Sequence, residues 1–245
     1  MNSNVFYIEG GSPALTFAAA YLRASGNRVV DTPCGNVTHL LLPIPTTLPV
    51  ESLNAILAQL PGDVTLVGGN LDRYDCNHRK LDLLKNEMYL AENAAITADC
   101  GMRLAGSLLD IAFRNCPVLV VGWGRIGKCL SATLHAIGAD VTVAARKESD
   151  RAIAQVLGYR TMDPSRVALS DFRLIFNTAP APVLSAERLQ TCPRSCIKID
   201  LASFRGMEGD DVIWARGLPG KMLPESAGKL IGETILRLLD TEVAL

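Results

Sequence analysis

The chain of 245 residues carries no excess of charge of either sign, since 24 Lys and Arg stand against 25 Asp and Glu for a formal charge of −1. That balance removes the basic footprint that a nucleic-acid backbone or an anionic membrane surface selects, and it leaves small neutral or dianionic partners open. Long apolar runs are also missing. A bilayer span needs roughly 18 to 20 apolar residues, and the best stretches break at Arg23, Pro43 and Gly122, so an integral membrane protein is not expected. Residues 14–22 have the apolar character of a signal-peptide core, but Glu9 and no Lys or Arg precede them. Without a basic leader they read as a buried helix, and the expected location is cytoplasmic. The pair CxxC is absent as well: seven cysteines are scattered, and Cys192 and Cys196 form CxxxC. Reduced thiols and no metal site are expected.

Histidine is scarce. A 2-hydroxy-acid dehydrogenase commonly uses one as general base, whereas His39 lies in an apolar stretch and reads as core, His78 sits in a polar loop, and His135 falls on a helix face as a packed or solvated residue. What is present in quantity is ordinary globular material, 49% hydrophobic with 20 glycines and 13 prolines, which excludes disorder and collagen-like repeats.

Along the chain, residues 5–8 are apolar and stop at Gly10 and Gly11, and residues 14–24 are helix-forming, which predicts strand, turn and helix. Residues 37–42 read as a second buried strand ended by Pro43 and Pro45, residues 50–60 as an amphipathic helix, and residues 64–67 as a strand before Gly68 and Gly69. Residues 1–88 are therefore expected to form a small flavodoxin-like or Rossmann-like domain, with a last helix over 226–245 packing on it. The period is lost over 85–96. Thr97 then offers a helix cap before Ala105, Leu108, Leu109 and Ala112 on one face. Further strands are expected over 117–121, 141–144, 174–176, 197–201 and 212–215. The fold class is α/β with two open parallel-sheet domains, the second a Rossmann NAD(P)-binding domain over 89–225.

The strongest signal is an apolar strand, Val118 to Val121, running straight into Gly122-Trp123-Gly124-Arg125-Ile126-Gly127 and then into a helical stretch. In that context Gly122 permits the tight turn, Gly124 lets backbone approach a pyrophosphate, and Gly127 allows close helix–strand packing, while Arg125 and Ile126 open the helix whose positive end faces the phosphates. About 20 residues on, an NAD site would carry Asp or Glu. Arg146 and Lys147 stand there instead, which favours the 2′-phosphate of NADP. NAD remains open if Glu148 takes the acidic role. Ligands in doubly wound sheets sit beyond the carboxyl ends of strands, which marks Asn177, Thr178 and Pro180 for the nicotinamide side, and Asp200, Ser203 and Lys221 as further candidates.

Taken in order, Gly122 to Gly127, Ala144-Ala145-Arg146, Phe176 to Ala181, Asp200-Leu201-Ala202-Ser203 and Gly217 to Lys221 with Pro224 and Ala227-Gly228 resemble the A subunit of dipicolinate synthase. The resemblance extends to Asn93 to Ala98 and to Leu41 to Pro45. It implies two α/β domains with a cleft, NADP-linked oxidation of dihydrodipicolinate to dipicolinate in a spore-forming bacterium, and a flavoprotein-like second subunit. The chain departs from that pattern at Asp99-Cys100 and at Ser203 to Gly206, both on the presumed substrate side, and it is shorter in its first domain. On this reading Asn177, Ser203 and Lys221 are the catalytic candidates. Pro43, Pro45, Asn93, Thr97, Ser203 and Ser226 face a small dicarboxylate, with helix ends near Thr97 and Ser226 offering N–H groups and hydroxyls. Removing hydride from a dihydropyridine leaves an aromatic ring, so the protein's task is mainly to orient two rings. The alternatives are a nucleotide-binding regulatory subunit without turnover, and a dehydrogenase of another small carboxylate or imine. A homo-oligomer is the expected state on base rates.

Overall fold

The computed structural model describes residues 4–243; residues 1–3, and 244–245 at the end of the expected last helix, lie outside the described residues. The chain divides into two compact units, one running to Asn93 and resuming at Pro219, the other spanning Ala94–Leu218.

In the first unit, β1 (Val5–Ile8) turns at Gly10, whose φ of +102° favours glycine, into α1 (Pro13–Ala24). Then follow β2 (Arg28–Val30), β3 (His39–Leu41), α2 (Val50–Leu57), β4 (Thr65–Gly68) and β5 (Lys80–Asp82). The sheet order is β2-β1-β3-β4-β5 with all pairings parallel. Strands covered on both faces must be apolar throughout, and Phe6, Leu40, Leu41, Leu66 and Val67 are fully buried. His39 is buried with them: it stacks on Phe6 at 4.9 Å and its Nδ1 lies 2.8 Å from Thr38 Oγ1. Desolvation, with help from the Arg79 charge, lowers its pKa to about 4. The last helix, α8 (Pro224–Val243), lies against α1 through small residues: a Cβ on Gly228 would collide with the Ala14 carbonyl, and one on Gly232 would stand 2.6 Å from the Tyr21 ring.

Helix α3 (Glu87–Leu108) corrects the expectation of a cap at Thr97. The helix begins ten residues earlier, Asn86 accepts from the Tyr89 amide at 2.9 Å as its cap, and Thr97 is buried within it. Its buried face is built from Ala94, Ala98, Cys100 and Ala105, residues too small to stand out as a hydrophobic stripe.

The second unit contains β6 (Pro117–Val121), α4 (Arg125–Ala136), β7 (Asp140–Ala144), α5 (Glu148–Val156), β8 (Arg160–Met162), β9 (Leu174–Asn177), α6 (Ala186–Leu189), β10 (Ile197–Asp200) and β11 (Val212–Trp214); α7 (Leu218–Met222) follows, where the chain resumes the first unit at Pro219. The order is β11-β10-β9-β6-β7-β8, again all parallel. Counted from β6 as first strand, this is the doubly wound order 3-2-1-4-5-6, and its direction reverses between β6 and β9. Leu119, Val120, Ile175, Phe176 and Ile199 fill its centre. Among the described residues, no helix is long and apolar enough to cross a membrane.

Candidate functional site

The reversal of strand order leaves an opening at the carboxyl ends of β6 and β9, where helices depart to opposite faces of the sheet. The glycine turn fills one side of it. Gly122 has φ +104°, and a Cβ there would stand 2.5 Å from Thr178 Oγ1. A Cβ on Gly127 would collide with the Gly122 carbonyl, so this glycine is what lets α4 lie close to β6. Thr178 locks the arrangement from the neighbouring strand, its amide donating to Val121 O at 2.8 Å and its hydroxyl to the same oxygen at 3.0 Å.

Gly124 is the contrary case. No atom lies within 4 Å of its Cβ position. As N-cap of α4 it has no side chain to accept the helix's first N–H groups, and the first turn, with Arg125, Ile126 and Gly127, holds no acid. The amino end of a 12-residue helix therefore presents its donors and positive dipole to open space. Beside it Trp123 is buried, its ring 5.5 Å edge-on from Tyr159, and its indole N–H has no partner among the described residues. Beyond the adjacent strand β7, Arg146 and Lys147 are both exposed, and Lys147 begins α5 without a side-chain cap. An uncapped helix end and a turn with room for backbone approach fit the pyrophosphate of a dinucleotide, and two exposed cations follow at the next strand.

Asn177 and Ser203 occupy different surroundings. Asn177 is fully buried, and its amide is used up: Nδ2 donates to Asp200 Oδ1 at 2.9 Å and to Ala179 O at 3.1 Å, while Oδ1 accepts from Ala179 N at 3.0 Å. Asp200, also fully buried, is the hub. Besides Asn177 it accepts from the amides of Ala202 (3.0 Å), Gly206 (2.7 Å) and Met207 (3.0 Å). A buried carboxylate costs several kcal/mol unless it is hydrogen-bonded, and here the 201–207 loop folds around it to supply the donors. Gly206 is required because a Cβ would strike Ala181 O and come within 2.5 Å of Asn177 Nδ2. Ser203 stands exposed on the outside of that loop. The signal for Asp200 was an acid closing the run Ile197-Lys198-Ile199; its function as an organiser of backbone amides was not readable from spacing.

The remaining candidates fall in separate places. Pro43 and exposed Pro45 follow β3 in the first unit, where the Ile44–Pro45 peptide is cis. Pro43 Cγ lies 3.1 Å from the Gly10 Cβ position, and Pro43 O accepts from the Thr46 hydroxyl at 2.8 Å. Asn93 and Thr97 both lie inside α3, Lys221 is exposed on α7, Ser226 is exposed in the first turn of α8, and Pro180 is exposed after β9. Thus the glycine turn, Arg146, Lys147, Asn177 and Thr178 all lie at the carboxyl ends of the second unit's strands, whereas Pro43, Pro45, Asn93, Lys221 and Ser226 belong to the first unit. The thiols are free, and burial pushes Cys100 up to about 11 and Cys196 to about 12, far from a reactive thiolate.

Strand order and glycine turn together define a doubly wound α/β protein with a Rossmann-type fold in its second unit. Within that class the chain is similar to the A subunit of dipicolinate synthase of Bacillus subtilis (strain 168), 28% identical over 158 residues that make up 60% of this chain and 53% of that protein. The match thus spans about half the length of that relative. The crystal structure of the corresponding dipicolinate synthase polypeptide from Bacillus halodurans superposes with a TM-score of 0.81 at 23% identity, covering 97% of both chains. A transhydrogenase from Sinorhizobium meliloti gives 0.75 at 14% identity, covering 98% of this chain and 94% of that one. No protein-family model matches the chain. These likenesses establish the fold and the resemblance to the A subunit of dipicolinate synthase.

Proposed function

We propose that the protein oxidises dihydrodipicolinate to dipicolinate with NADP, in the manner of the A subunit of a dipicolinate synthase. The observation that carries the nucleotide part is the uncapped amino end of α4 over the open space at Gly124, with Arg146 exposed at the end of the adjacent strand. The sequence likeness to dipicolinate synthase supports the substrate.

A bound nicotinamide would supply the acceptor for the hydride lost by the dihydropyridine, with the accompanying proton passing to water as the ring becomes aromatic. The chain's contribution is positional. Backbone N–H groups of residues 124–127 would hold the pyrophosphate, and the Arg146 guanidinium, assisted by Lys147, would meet the 2′-phosphate. Thr178 and Asn177 hold the turn and the strand end that would support the nicotinamide side, Thr178 through Val121 and Asn177 through Asp200. Within the second unit, Ser203, on the exposed side of the loop that Asp200 organises, is the group proposed for a substrate carboxylate. A cytoplasmic setting and a second, flavoprotein-like subunit belong to this reading. A non-catalytic nucleotide-binding subunit is the second reading, favoured by the full engagement of the Asn177 amide, which leaves it no free donor for a substrate.

The test is a parallel titration with NADPH and NADH, repeated with Arg146→Ala, followed by an assay for dipicolinate from dihydrodipicolinate. Tight NADPH binding that falls at least about tenfold in the variant while NADH is unaffected, followed by NADP-dependent product formation, is the expected outcome. Binding without turnover would select the second reading, and binding of neither nucleotide would remove both.

A further inference from the structure

The turn that carries Arg146 has an organiser of its own. Arg151, one turn into α5, reaches back so that its Nη1 donates to the carbonyl oxygens of both Ala145 and Arg146 at 2.7 Å. The same nitrogen lies 3.5 Å from Asp163 Oδ2, and the Arg151 side chain is only 24% exposed. Asp163 is itself fixed, since its Oδ1 accepts from Ser165 N at 2.9 Å and from Ser165 Oγ at 2.6 Å. From the other side the Ala145 amide donates to Met162 O at 3.2 Å. Residues 145 and 146 are thus tied by a side chain at a point where α5 lacks a side-chain cap.

Two consequences follow for a phosphate arriving at Arg146. Carbonyl oxygens carry partial negative charge, and two of them pointing outward beside a dianion would oppose it; a guanidinium donating to both cancels that field. Holding the Arg146 carbonyl also fixes the backbone from which that side chain projects, so less conformational freedom is lost when a ligand orders it.

We propose that Arg151 is a positioning residue for the 2′-phosphate subsite: it sets the nucleotide preference by holding the Ala145–Arg146 turn and neutralising its carbonyls, without itself meeting the ligand. This rests on the NADP reading above and names a determinant of it outside the strand-end motif.

The experiment is a double-mutant cycle by calorimetry on the full chain, comparing wild type, Arg146→Ala, Arg151→Ala and the double variant, with NADPH, NADH and 2′,5′-ADP as probes and unliganded melting as the check on folding. Arg151→Ala is expected to weaken NADPH and 2′,5′-ADP about tenfold and NADH less than about twofold. The double variant is expected to bind no more weakly than Arg146→Ala alone, because the two residues act as one unit. Arg151→Lys keeps charge and donors and is expected to recover most of the loss. Additive losses, equal weakening of NADH and NADPH, or no weakening in either Arg151 variant would overturn the proposal. Wild-type protein that binds no NADPH would overturn the underlying reading first, in a measurement that precedes every variant.

Discussion

Each unit opens with the same device, a buried parallel strand, a glycine at positive φ and a helix, and the two differ only at the helix's first residues. Gly10 and Gly122 have nearly the same φ, +102° and +104°. After Gly10, however, Ser12 caps α1 by accepting from the Leu15 amide at 3.3 Å, and Pro13 in the first turn has no N–H to satisfy. Both glycines are closed in, Gly10 by Pro43 at 3.1 Å and Gly122 by Thr178 at 2.5 Å from the Cβ position. After Gly122 the cap is Gly124, with no side chain and no atom within 4 Å of its Cβ position. The first helix end is capped by a side chain of its own chain; the second has no side-chain cap. A parallel α/β sheet is therefore not by itself a nucleotide site, and the distinction lies in a few atoms at one helix terminus.

That contrast is broken most severely at Gly127. Gly127→Ala forces a methyl onto the Gly122 carbonyl, and we expect a loss of about 3 kcal/mol or more in chemical denaturation together with loss of nucleotide binding. Retained stability would mean that α4 can lift from β6 freely.

A second expected difference between the units is acid sensitivity. His39 is buried neutral in the first unit with its pKa lowered from 6.5 to about 4, whereas His135 in the second is exposed. Above pH 6.5 neither folded nor unfolded His39 is charged; as pH falls from 6.5 toward 4 only the unfolded form takes up the proton, so stability is lost across that window and levels off below it. The loss is expected to be on the order of 2 kcal/mol. Hydrogen exchange at pH 7 and pH 5 should show the β1–β3 amides losing more protection than those of β6 and β9, and His39→Gln should flatten that difference. An equal response of both sheets would contradict it.

The smallest effects come from exchanging the two caps. Ser12→Ala should cost about 1 kcal/mol and leave nucleotide binding intact. Gly124→Ser should change stability by only a few tenths of a kcal/mol, yet weaken NADPH at least about tenfold by placing a side chain and an internal acceptor where the pyrophosphate belongs. Melting curves read beside titrations separate the two, and a Gly124→Ser protein with unchanged affinity would show that the ligand does not approach that helix end.

Much of this was legible in the residues alone. The central strands of both sheets are runs of Val, Leu, Ile and Phe because both faces are covered, and residues 117–121 and 174–176 match β6 and β9 to within a residue. Glycines 122, 124 and 127 carried their meaning because each needs a missing side chain for a different reason. The three-residue edge elements β2, β5 and β8 were not legible: an edge strand is covered less, so Arg28, Lys80 and Arg160 break any apolar run. Helix α5 was missed for a related reason, since only Ala154 of its nine residues is buried.

Local sequence by itself determined what short-range sterics and hydropathy control, namely parallel α/β units, the strand–turn–helix with its glycines, and a cation in place of an acid after β7. Tertiary structure decided which polar groups face inward. Asn177 and Asp200 sit 23 positions apart, and only pairing of β9 with β10 brings them within 2.9 Å. Arg151 meets the turn just before it locally, but only the packing of α5 on β8 brings Asp163 within 3.5 Å of it. Hydrogen-bond satisfaction in a low-dielectric interior is a property of the assembled surroundings, and no spacing along the chain records it.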